Sequence, residues 1–136
     1  MAHTFHFRSQ HRYDTTKTGI AIPVELLFGP KSVQLDARLD TGASFCIFAR
    51  SYAELLGIDI ESGTPEYVST ANSTLQVFGH WLTVMALGFQ IETMVYFAID
   101  GNIRRNVLGR RGWIDRLRLC LIDHDGELYV SHYDDE

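Results

Sequence analysis

From Ile20 to Asp40 the apolar side chains fall on every second position, broken once by a turn-forming stretch, and that pattern commits the segment to a β-hairpin. The first run carries Ile20, Ile22, Val24, Leu26 and Phe28. Gly29-Pro30-Lys31-Ser32 supplies the turn, and the second run sets Val33, Leu35, Ala37 and Leu39 against Gln34, Asp36, Arg38 and Asp40. Pro23 has no N–H for a ladder hydrogen bond, which predicts an edge position or a bulge there. The hairpin therefore delivers Asp40 into Thr41-Gly42-Ala43-Ser44. Gly42 gives this turn access to backbone angles closed to other residues, and the small Thr41, Ala43 and Ser44 let another backbone come close. Phe45, Cys46, Ile47 and Phe48 then return to the core.

The remaining chain reads as further short strands. Ser51-Tyr52-Ala53-Glu54 fits a capping box, predicting a short helix that runs to about Leu56 and stops at Gly57. Glu66–Thr70 and Thr74–Phe78 flank Ala71-Asn72-Ser73 as a hairpin, with Asn72 able to take positive φ at the tip. Trp81 to Leu87 and Ile91 to Ile99 read as two largely buried strands joined near Gly88. Val107-Leu108-Gly109-Arg110 follows the loop at Asp100-Gly101-Asn102. The stretch 109–115 predicts a short helix, Leu117, Leu119 and Leu121 a strand, Asp123–Gly126 a turn, and Leu128 and Val130 a last strand.

At 136 residues and 46% hydrophobic content there is material for one core and one domain, assigned to residues 19–133, with 134–136 an acidic tail. Residues 1–18 are polar, but Phe5 and Phe7 alternate with Thr4, His6 and Arg8, so the segment is either a leader or a strand at an interface. A net charge of -5 argues against a nucleic-acid surface. The arginines at 104, 105, 110 and 111 read as a solvated loop. His3, His6 and His11 lack the further ligands and spacing of a metal site, so no metal is expected. Cys46 and Cys120 sit in apolar runs and read as buried free thiols. With no signal-peptide pattern, long apolar stretch or cysteine framework, the expectation is a cytoplasmic protein without membrane contact.

Two motifs carry a family resemblance. Asp40-Thr41-Gly42-Ala43-Ser44 after an apolar strand resembles the active-site loop of aspartic proteases, and Val107-Leu108-Gly109-Arg110 resembles the apolar-apolar-glycine segment that packs beside that loop. The similarity spans roughly Ile20 to Val130. Only one Asp-Thr-Gly is present, so the resemblance is to the single-lobe, retroviral-type (retropepsin-like) enzymes. It implies an all-β fold: a closed β-barrel with one or two short helices and a flap hairpin. It further implies a C2 homodimer in which Asp40 of each copy meets its image at the axis and hydrolyses an extended peptide or unfolded protein without cofactor. Thr41 would donate across the axis, Gly42 would leave room for substrate backbone, and Thr70, Ala71, Asn72, Ser73 and Thr74 would form the flap. The family commonly pairs the arginine of the second motif with an acid four places beyond the aspartate. Here that place is Ser44, which can accept a hydrogen bond from Arg110. Ala43 stands where pepsin-like loops often carry a hydroxyl donor to the carboxylate, so a mildly acidic optimum is expected. The same fold also accommodates a non-catalytic dimerisation or peptide-binding module.

Overall fold

A computed structural model describes residues 1–136. Ten strands dominate it: β1 (Ser9–Arg12), β2 (Ala21–Phe28), β3 (Lys31–Leu39), β4 (Ile47–Phe48), β5 (Thr64–Ser69), β6 (Thr74–Ala86), β7 (Phe89–Ala98), β8 (Val107–Leu108), β9 (Leu117–Ile122) and β10 (Glu127–His132), with one helix, α1 (Arg50–Leu55). The strand order β2-β3-β8-β4-β7-β6 returns on itself because β6 also pairs with β2, giving a ring of strands to which β5 is added beside β6. This is the expected retropepsin-like all-β architecture.

The period-two pattern maps directly onto the ring. Ile22, Val24 and Leu26 of β2 and Leu35 and Ala37 of β3 are buried, while Asp36 and Arg38 are exposed. Pro23 sits opposite Asp36 of β3, one residue before the β2–β6 pairing begins at Val24. Its missing N–H therefore leaves the ring's ladder with β6 intact. Phe48, Phe97 and Trp113 fill the centre as fully buried aromatics. A smaller cluster of Ile47, Leu75, Val77, Ala98 and Val107 lies beneath the Asp40 loop, with Ala43 and Phe45 packed on it.

A second, three-stranded sheet runs β1-β10-β9. Leu117, Leu128 and Val130 turn inward to join the main core. The amino-terminal strand lies at Ser9–Arg12, later than the alternation around Phe5 and Phe7 suggests. Arg8 N–H donates to the Val130 carbonyl at 3.1 Å, Phe7 packs near Tyr129, and Phe5 lies exposed beneath the Arg118 guanidinium. The chain's end is tied back as well. Burial alone would raise the Asp135 carboxyl, but hydrogen bonds from His132 N–H and from Arg8 at 2.6 Å outweigh it and hold the group below its usual range.

Several local expectations change, and the first is that Thr74–Phe78 and the run from Trp81, read as separate strands, form one continuous strand, β6. The helix starts at Arg50 rather than at a Ser51 cap: Ala49 is the N-cap residue, and its N–H donates to Asn106 Oδ1 at 3.0 Å. Glu54 pairs with Arg50 at 2.7 Å instead of reaching back to a cap. Gly57 ends the helix with a left-handed φ of 72°, as expected. Beyond Gly109 the chain forms a 3-10 turn at Ile114–Arg116 rather than an α-helix, because Gly112 takes φ 107°. The two-residue turn between β6 and β7 puts both Leu87 (φ 55°) and Gly88 (φ 86°) in the left-handed region, matching the strand twist.

Candidate active site

Asp40 occupies the first position beyond β3, where the strand leaves the ring. Its N–H donates to the Leu108 carbonyl at 3.1 Å, so β8 fixes the point at which the loop departs. The Asp40 carbonyl then accepts from Ala43 N–H at 3.2 Å, and Oδ1 accepts from Gly42 N–H at 2.9 Å. One carboxylate oxygen is thus anchored by the loop's own backbone. Gly42 does not use a left-handed conformation; its φ is not positive. Its lack of a side chain matters for proximity, because a Cβ there would lie 3.2 Å from Asp40 Oδ1.

The second motif is threaded through this loop. In the sheet β8 lies between β3 and β4, parallel to β3 and antiparallel to β4, so residues 40–46 pass around it. Arg110 N–H donates to the Ala43 carbonyl at 2.8 Å and Arg111 N–H to the Ser44 carbonyl at 2.9 Å. Gly109 sits against the loop with no room to spare: a Cβ would fall 2.8 Å from the Ala43 carbonyl oxygen and closer still to that of Phe45. Val107 and Leu108 are buried. Contact with Ser44 is therefore made by the Arg111 backbone, not by the Arg110 side chain, which is exposed. Thr41 and Ser44 are also exposed, and the loop's one internal side-chain hydrogen bond is that of Asp40.

Cys46 closes the loop from below. Burial pushes its thiol up to about 12, against weaker opposition from the Gly109 backbone. Phe45 packs on Tyr96 with ring centres 4.9 Å apart, and burial likewise raises the Tyr96 phenol.

Thr70–Thr74 lies at the end of the β5–β6 hairpin, with Thr74 already in β6. Thr70 N–H donates to the Ser73 carbonyl at 2.8 Å, and Ser73 N–H donates to Thr70 Oγ1 at 3.1 Å. Ala71 and Asn72 are exposed between them, and Asn72 does not adopt positive φ. Thr and Ser side chains shape this tip, which explains how it turns without glycine. Its stem enters the same small cluster as the loop: Leu75 and Val77 pack with Val107, Ala43 and Phe45.

Two features escaped the sequence reading. Asn106 bridges both arms of the site, accepting from Arg38 N–H through its carbonyl and from Ala49 N–H through its side chain. Arg105, read as part of a solvated loop, brings Nη2 to 3.9 Å from Asp40 Oδ2. Both groups are partly exposed, so this ion pair is weak in water. Their positions immediately before Val107 were the only available signal.

A sequence model described as "Aspartyl protease" matches residues 22–111, spanning both motifs. No curated protein matches the chain significantly by sequence. Among solved structures, a retropepsin-like aspartic protease from Rickettsia conorii superposes with a TM-score of 0.63 at 19% identity, covering 90% of this chain and 96% of that one. The EIAV protease complexed with the inhibitor HBY-793 gives 0.54 at 20% identity, covering 69% and 84% respectively. Similarity at this level of identity concerns the fold.

Proposed function

This chain belongs to the aspartyl protease family, and from that premise we propose that it is an endopeptidase assembled from two copies, each contributing Asp40 to one hydrolytic centre. The observation that carries this reading is the anchored carboxylate: a single Asp40 per chain, held at a strand end by Leu108 and Gly42, in a loop locked by Gly109. Amide hydrolysis needs a base to activate water and an acid to protonate the departing nitrogen. A twofold axis at the loop would supply both from one residue type, because two neighbouring carboxylates resist double ionisation and retain a shared proton.

In this mechanism the ionised Asp40 removes a proton from water as the oxygen attacks the scissile carbonyl carbon. The protonated Asp40 of the second copy hydrogen-bonds the carbonyl oxygen as it gains charge. Collapse of the tetrahedral species breaks the C–N bond, and a carboxyl proton passes to nitrogen. Exposed Thr41 is available to donate across the axis, while the Thr70–Thr74 hairpin closes over an extended peptide and excludes water.

Asp40→Asn keeps the side chain's size while removing the titrating dyad. Incubated with an unfolded protein at mildly acidic pH, this variant should lose cleavage by about a thousandfold or more while keeping its circular dichroism and melting transition. Equal cleavage by the variant and the native protein would remove Asp40 from the mechanism.

A further inference from the structure

Beside the Asp40 loop the chain builds a basic recess that hydrolysis itself does not require. The parallel register of β3 with β8 sets Arg38 opposite Val107. Arg104 and Arg105, on the approach to β8, therefore come alongside the outer face of β3. Together with Thr18, Ala21 and Asp36, the three arginines line a cavity of about 370 Å³. Three guanidinium groups face one carboxylate there, on a chain whose net charge is -5.

The arginines are differently constrained. Arg38 Nη2 donates to the Thr18 carbonyl at 3.3 Å, and its stem covers Gly19, where a Cβ would come within 2.9 Å of Arg38 Cδ. Arg104 is exposed and forms no ion pair. Arg105 is exposed, and its one acidic partner is Asp40 at 3.9 Å, a distance too long for a well-formed bidentate contact. Two guanidinium groups are thus left with donors to offer, and one of them links the cavity to the proposed catalytic carboxylate.

We propose that this recess is a substrate subsite for an acidic side chain next to the scissile bond, with Arg104 and Arg105 taking the carboxylate and Arg38 forming a fixed wall. The proposal rests on the assignment of Asp40 as the hydrolytic group. An extended peptide laid over Asp40 projects successive side chains to opposite faces, so a residue flanking the reacting carbonyl reaches the recess. A Glu or Asp carboxylate matches the planar fork of an arginine, whereas a neutral amide pairs with it less strongly. Since the Arg105–Asp40 pair is partly exposed, a better-oriented substrate carboxylate draws Arg105 away at little cost.

The test uses peptides that differ only in Glu or Gln at the positions flanking the cleaved bond. The native protein should favour the Glu peptide by about tenfold or more in kcat/KM. In the double variant Arg104→Gln/Arg105→Gln that ratio should fall towards one, and in Arg104→Glu/Arg105→Glu a Lys peptide should become the preferred substrate. Equal cleavage of the Glu and Gln peptides, or a preference that survives the double Gln variant, would overturn the subsite. Failure of the catalytic assignment looks different: no peptide is cut, or Asp40→Asn cuts as well as the native protein. Fluorescence anisotropy with Asp40→Asn then reads the recess independently of turnover. Tighter binding of the Glu peptide supports it; equal binding overturns it.

Discussion

Gly109 secures the Asp40 loop by what it lacks. Backbone carbonyls of Ala43 and Phe45 occupy the space a methyl group would need, and backbone cannot swing aside as a flexible side chain can. Gly109→Ala should therefore cost about 1–3 kcal/mol in urea denaturation, with a matching loss of activity as the loop shifts. Beneath the same loop, burial raises the Cys46 thiol from an ordinary value of 9.0 to about 12. The folded protein keeps this proton where the unfolded chain releases it, so the associated stability is intact below the unfolded value and declines as pH rises towards the folded one. Denaturation midpoints followed from neutral to alkaline pH should fall less steeply for Cys46→Ala than for the native protein, each referenced to its own neutral value. The native thiol should also resist iodoacetamide until denaturant is added, as mass spectrometry would show. At this scale Asp40 stands out in the sequence as a candidate because strand, aspartate and glycine are contiguous. It concealed Arg105 because that residue's neighbour is chosen by β3–β8 pairing across a long stretch of chain.

Strands β2 and β3 were readable because each is long, half-buried and alternating, so side-chain chemistry alone reports the pleat. Strands β4 and β8 have two residues each, too few to show any period, although they form the ring beside the site. Helix α1 shows the opposite failure. Ser51 and Glu54 have the spacing of a local cap, but Asn106 satisfies the helix entrance from a distant part of the chain. The β5–β6 hairpin was legible as an element, while its tip was not: Thr70 and Ser73 replace the expected left-handed residue with mutual hydrogen bonds. Thr70→Ala removes the hydroxyl from that arrangement. Because the tip is exposed, global stability should drop by no more than about 1 kcal/mol in thermal melts. If the hairpin covers substrate, kcat/KM should fall several-fold in the same variant; unchanged kinetics would dissociate this tip from substrate closure.

For the whole molecule, the proposed site shared by two copies would make activity a property of concentration. Specific activity should rise with protein concentration in step with the dimer fraction seen by sedimentation, and a fully active monomer would refute the shared centre. Each copy carries a net charge of -5 at pH 7, so two copies repel over distances that salt can screen. Association should strengthen with added salt and as pH falls towards the sequence pI of about 5.6. That tendency agrees with the mildly acidic optimum expected from Ala43. The placement of β8 has a further consequence for biosynthesis. Asp40 is made early, but the segment that grips its loop, Val107 to Arg111, is made much later. A nascent chain still waiting for those residues on the ribosome carries the acid without its clasp, so on the proposed reading the loop gains its hydrolytic geometry only after residues 107–111 have been made.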